Sequence, residues 1–177
     1  MNSKTTNPPV TRLGFVAYGL AVLVVVVDQL SKFWVVHVAE LPIHGRIPVL
    51  PPIFNLTMVW NVGVSFGFLK AENDIGRWAL TAFSAVVVIA LALWARRIDR
   101  PLPALALGFV MGGAIGNNLI DRVRLGAVID FLDFQGLHFP WVFNVADSAI
   151  SVGVVLLLID NLMPVRPSPE SAPEGAP

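Results

Sequence analysis

Two aspartates, Asp130 and Asp147, sit where a carboxylate is costly. Asp130 lies between apolar residues in "AVIDF", and Asp147 lies in "FNVADSAISVG", where an apolar run carries it close to lipid depth. Ionisable groups at such depth mark a partner, a pathway or a reaction. Each aspartate ends a short element, and the two elements are expected to meet at one membrane face. Two carboxylates in one site cannot both ionise easily, so one pKa rises and the pair can share a proton. One member then activates water while the other protonates a carbonyl oxygen or a leaving amine. That is aspartic-protease chemistry, and it calls for neither a metal ion nor a cofactor.

Other polar groups cluster near this pair. Asp28 and Lys32 are four apart on one helix face. They read either as a structural ion pair or as a source of a catalytic lysine. Asn118, Asp121 and Arg122 share a face by spacing, either as an Asp121–Arg122 surface pair or as a donor-rich patch for a carbonyl or lipid phosphate. Gly126 is expected to end that helix. By period two, Asp130 and Asp133 should face opposite ways. Asn144 and Asp147, three apart, suit an N-cap and a first-turn acid, and the same residues suit a reaction centre.

Competing chemistries find less support. "GVSFG" places Ser65 in a nucleophile-elbow pattern, but that motif needs a strand-to-helix turn and a histidine partner. The histidines are His37, His44 and His138, none within an apolar span. The chain has no cysteine and no H-E-x-x-H, which removes thiol nucleophiles, disulfides and the commonest zinc-protease motif. Net charge is zero, with no basic stripe or aromatic-basic interleaving, so no nucleic-acid partner is expected.

The elements that must position these groups are apolar. Of the 177 residues, 55% are hydrophobic and 14% charged, whereas a soluble domain carries about 25% charged residues. Four segments, near 14–36, 75–94, 102–120 and 143–163, approach the roughly 20 residues that span a bilayer. Lys4 and Arg12 precede the first segment, which lacks a small-x-small cleavage site and reads as a retained helix. Arg96, Arg97, Arg100 and Arg166 join them in placing both termini and the loop between the second and third spans in the cytoplasm. The outer connection 37–74 alternates β-formers with turn residues, which predicts short strands at the membrane surface and an interfacial segment before the second span. "VIDFLDFQGLHFPWVF" predicts two extended runs around a hairpin turn at Gln135-Gly136. Gly108, Gly112 and Gly116 form a small-residue stripe suited either to helix packing or to substrate space. The expected architecture is an all-α membrane protein: four transmembrane helices with a small extracytoplasmic β-sheet, within a domain at 14–163. Tails at 1–13 and 164–177 flank it, both cytoplasmic, and the second is Pro/Ser/Glu/Ala-rich and expected to be disordered.

Taken in order, four blocks resemble the bacterial lipoprotein signal peptidase family (signal peptidase II), aspartic membrane proteases. The blocks are "DQLSKFWV", "NVGVSFGF", "GGAIGNNLIDRVRLGAVIDF" and "FNVADSAISVG". The resemblance covers about 15–163. Val64-Ser65 depart from the two small residues the family often places before Phe66. The resemblance implies that Asp130 and Asp147 are the catalytic dyad, and that Asn61, Asn118, Arg122 and Asn144 hold substrate. It implies that Asp28, Lys32, Gly63 and Asp121 support the architecture. The implied substrate is a prolipoprotein cut before its diacylglyceryl-modified cysteine, in the inner membrane, by a monomer whose site faces away from the cytoplasm. The different reading of the same aspartates is a proton relay in a small transporter or lipid-binding protein, which would give proton flux without cleavage.

Overall fold

The computed structural model describes residues 9–63 and 74–163. The chain runs through helix α1 (Arg12–His37), a short α2 (Leu41–His44) and strands β1 (Arg46–Leu50) and β2 (Phe54–Asn61). It continues through α3 (Asp74–Ala95), α4 (Pro101–Ala114), a π-helical segment (Ile115–Asp121) and α5 (Arg122–Leu125). Strands β3 (Val128–Asp133) and β4 (Val142–Phe143) lead into α6 (Val145–Leu162). Ser65, the 64–73 stretch and the tails at 1–8 and 164–177 lie outside the described residues.

Among the described residues, four helical runs are long and apolar enough to cross a membrane: α1, α3, α6 and the continuous run Pro101–Leu125. The third span extends beyond the expected 120. Its helix passes through the polar stretch with a π turn and stops only at Gly126, whose φ of 75° is a left-handed cap. The fourth span begins at Val145 rather than 143, because Val142–Phe143 pair in the sheet and Asn144 caps the helix.

The third span is the most buried of the four, and α4 packs against both α1 and α6. Its glycines make that approach possible. A Cβ at Gly108 would lie 2.8 Å from the Ala17 carbonyl oxygen, and one at Gly112 would lie 2.6 Å from Val24 Cβ. From the other side, a Cβ at Gly153 of α6 would lie 2.7 Å from the Ala106 carbonyl oxygen. The stripe is therefore filled by neighbouring helices, and the expectation of substrate space there is corrected for Gly108 and Gly112.

Both ends of the bundle are tied by named bonds. The Thr11 amide donates to the Arg96 carbonyl (3.1 Å), and the Thr11 hydroxyl donates to the Ile98 carbonyl (2.7 Å). Arg100 pairs with Asp160 at 2.7 Å. The start of α1, the α3–α4 connection and the end of α6 thus share one end of the bundle, as the arginine distribution anticipates. At the other end sits a four-stranded antiparallel sheet in the order β1-β2-β3-β4. A second core, Val35, Leu41, Leu56, Ile129 and Phe131, fixes this sheet to the end of α1.

The β3–β4 connection departs from a two-residue hairpin. It contains a 3-10 turn at Gln135–Leu137, and His138 rather than Gly136 has positive φ (60°). Gly136 is instead demanded by space, since any Cβ there would collide with the Pro52 backbone.

Gly112→Ala tests the packing. Ala is favoured over Gly in a helix by about 1 kcal/mol, while overpacking a filled site costs about 1–3 kcal/mol. The contact at Val24 Cβ and at the Ala21 carbonyl (2.7 Å) is with atoms close to or in the backbone, so the steric cost should win. Gly112→Ala should lower Tm in detergent, whereas Gly19→Ala, with open space around its Cβ, should not.

Candidate active site

The polar cluster is assembled where α1, the π-helical segment, the sheet and the start of α6 converge. Lys32 Nζ lies 2.8 Å from Asp28 Oδ2, as the i, i+4 spacing anticipates, and 2.7 Å from Asp121 Oδ2. It also donates to Asn117 Oδ1 at 2.7 Å. Three acceptors satisfy the three donors of a buried ammonium. Gln29 Nε2 donates to the other Asp121 oxygen at 2.8 Å. Gly116 leaves room for Asp28, whose Oδ2 would be only 2.7 Å from a Cβ there. Asp28 Oδ1 in turn accepts the Ala146 amide at 3.0 Å, in the first turn of α6. The Asp28–Lys32 pair therefore joins three elements, which is the structural reading of that motif.

Asp147 is placed by the capping box that starts α6. The Asp147 amide donates to Asn144 Oδ1 (2.9 Å), and the Asn144 amide donates to Asp147 Oδ2 (3.2 Å). Asn144 has a second task, because its Nδ2 donates to Asp130 Oδ1 at 2.7 Å and to the Ile129 carbonyl at 3.2 Å. One fully buried asparagine thus bonds both aspartates. The capping and functional readings of Asn144 describe the same side chain.

Asp130 is placed by sheet register. It stands opposite Val59, so Asn61 is its diagonal neighbour, and Asn61 Nδ2 donates to Asp130 Oδ2 at 2.9 Å. Asp133 stands opposite Asn55, and Thr57 Oγ1 donates to it at 2.5 Å. Thr57 and Asn61 have the same parity, yet Asp130 and Asp133 do not. A one-residue register shift between Leu56 and Val59 reconciles them and lets each aspartate meet its own partner. Burial, reinforced by the neighbouring Asp147 carboxylate, pushes the Asp130 carboxyl from 3.8 up to about 7 against donation from Asn61 and Asn144.

Arg122 is buried and turned toward the strand end. Its guanidinium donates to the carbonyls of Val62 (3.1 Å) and Gly63 (2.7 Å), and its Nε donates to Asn118 Oδ1 (3.2 Å). The Gly63 amide donates to Asn61 Oδ1 at 3.0 Å, which aims the Asn61 amino group at Asp130. Of the two readings of this face, the Asp121–Arg122 surface pair is corrected, since Asp121 faces Lys32 while Arg122 is buried, bonded to Asn118 and facing residues 62 and 63. In this π-helical stretch, where the Arg122 amide bonds the Asn117 carbonyl, the i, i+4 pairs 117/121 and 118/122 meet different neighbours. Asn118 bonds Arg122, and its neighbour Asn117 is the residue that reaches Asp147 Oδ1 (2.8 Å). Sequence reasoning missed Asn117 and Gln29. The doubled asparagine in "GNNLID" was the available signal for the first.

The signal peptidase (SPase) II family matches this chain over residues 20–163. A lipoprotein signal peptidase of Caulobacter vibrioides is 53% identical, covering 87% of this chain and 90% of that one. One from Rhodopseudomonas palustris is 41% identical, covering 86% and 93%. Two solved bacterial membrane enzymes superpose with TM-scores of 0.73 and 0.70 at 27% and 28% identity. They cover 89% of this chain in both cases, and 93% and 98% of their own.

The raised Asp130 pKa has a consequence for stability with a definite sign. Between about 4 and about 7 the folded chain holds a proton at Asp130 that the unfolded chain has released. That contribution is fully present below about 4 and is lost as pH rises through about 7. Thermal unfolding between pH 4 and 8 should show Asp130→Asn declining less steeply with pH than the unmodified chain.

Proposed function

The chain belongs to the signal peptidase II family, and from that premise we propose that it cuts prolipoproteins with Asp130 and Asp147 as a metal-free catalytic dyad. The protein is an aspartic protease of the bacterial inner membrane, and its family removes signal peptides from prolipoproteins. The observation that carries the dyad is Asn144. This buried side chain bonds Asp130 while sharing a capping box with Asp147, so the two carboxylates are held in fixed relation. A pair held in this way can retain one proton between them.

In the proposed reaction, the ionised carboxylate takes a proton from water as the water oxygen attacks the scissile carbonyl carbon. The protonated carboxyl gives its proton to the carbonyl oxygen. The tetrahedral intermediate then collapses: one of its hydroxyls returns a proton to the second carboxylate, the C–N bond breaks, and the first carboxyl passes the proton taken from water to the leaving nitrogen. The scissile bond precedes a cysteine carrying diacylglycerol. Asn61 and Asn144 orient Asp130 beside the substrate. Asn118 and Arg122 hold the 61–63 segment, against which an extended peptide would lie. Asp28, Lys32, Gly63 and Asp121 support this frame. A lipid-facing approach suits a lipidated substrate, the enzyme acts as a monomer, and the sheet end faces away from the cytoplasm with both termini inside.

Purified protein incubated with a lipidated pre-lipoprotein should release signal peptide with or without a chelator. Asp130→Asn and Asp147→Asn should fold and reduce cleavage by at least about 100-fold, the scale of a lost general acid or base. Normal cleavage by either variant would sink the dyad. With Asp130 near 7, kcat/KM should fall on the alkaline side of about pH 7 as the pair loses its shared proton. A rate that is flat from pH 6 to 9 would contradict that assignment.

A further inference from the structure

Lys32 is more than a buried counter-ion, because it fixes the polarity of a neighbouring amide. An ammonium only donates, so the Asn117 carbonyl must face it. Asn117 Oδ1 accepts from Lys32 Nζ at 2.7 Å and from Asn144 Nδ2 at 3.1 Å. The amino end is thereby committed to the opposite side, where it donates to Asp147 Oδ1 at 2.8 Å. The second Asp147 oxygen takes the Asn144 amide. The same ion pair reaches the backbone beside Asp147, since Asp28 Oδ1 accepts from the Ala146 amide.

We infer that Asn117 is a positioning residue for the reaction: Lys32 orients its amide, and its amino group holds Asp147 in the geometry that activates water. The inference rests on the dyad reading and adds to it a residue that touches neither water nor peptide. Asn117 and Asp121 of the π-helical segment both face Lys32, while Arg122, bonded to Asn118, reaches the carbonyls of Val62 and Gly63. Asn117 is buried between Lys32 of α1 and the start of α6, and its amino group serves Asp147 Oδ1 at 2.8 Å with Asn144 Oδ1 as a longer second acceptor at 3.4 Å.

Asn117→Asp separates this role from a structural one. The carboxylate still accepts from Lys32 but cannot donate to an ionised Asp147. Loss of one hydrogen bond to a charged group should lower kcat roughly 10- to 100-fold, with KM for the lipidated substrate unchanged. Asn117→Ser, which withdraws from Asp147 and leaves Lys32 paired with Asp28 and Asp121, provides the same reading if the extra carboxylate prevents folding. Both are compared with Asp147→Asn in protein that unfolds cooperatively. Cleavage by Asp147→Asn would overturn the dyad and this inference with it. Unchanged kcat in a folded Asn117 variant beside an inactive Asp147→Asn, or a change confined to KM, would overturn the inference alone.

Discussion

Burying charge in an apolar bundle costs several kcal/mol per ion unless partners are supplied, and Lys32 is the partner around which this site is organised. It bridges Asp28 of its own helix and Asp121 of the third span. Through Asp28 it reaches the first turn of α6, and through Asn117 it reaches Asp147. Removing that ammonium would leave two buried carboxylates facing each other across α1 and the third span. The third span, the fourth span and the dyad's geometry therefore share one electrostatic support. The cluster also contains Arg122, giving two cations against Asp28, Asp121, Asp130 and Asp147. Four carboxylates beside two cations favour keeping a proton in the site, which is the condition dyad chemistry requires.

Local irregularities do the positioning. A π-helical stretch of the third span, with its C-cap Arg122, carries four polar residues that are shared between two neighbours. A one-residue bulge in β2 lets Asn61 meet Asp130 and Thr57 meet Asp133. A capping box makes Asn144 both the end of the sheet and the start of α6. Without the β2 bulge, one of the two sheet contacts would be misaligned. The small residues of α4 serve a different purpose, allowing α1 and α6 close enough for Asp28 and Ala146 to bond.

The four spans and the sheet were legible because each rests on a repeating signal: length of apolar run, or alternation bounded by turn residues. Asp130, Asp147 and Asn144 could be named because polar groups stand out against apolar flanks, whereas Asn61 was named through the family resemblance. The Asn118–Arg122 contact follows helical spacing, but which neighbours Asp121 and Arg122 meet was not legible, since spacing within one helix does not say what packs against each side. Asn117 was hidden for the same reason, its partners Lys32 and Asp147 lying on two other helices. Gly136 misled in another way: a glycine in a turn suggests positive φ, whereas here it answers to the Pro52 backbone. Such tertiary demands leave no periodic trace in the sequence.

Dyad catalysis in this site depends most on a carboxyl proton held at Asp130 near neutral pH. Difference infrared spectroscopy of the purified protein, with aspartate isotopically labelled and pH stepped from 5 to 8, observes that proton directly. A protonated-carboxyl band should disappear as pH rises through about 7 and should be missing in Asp130→Asn. Absence of such a band in the unmodified protein, or its persistence unchanged in Asp130→Asn, would contradict the account.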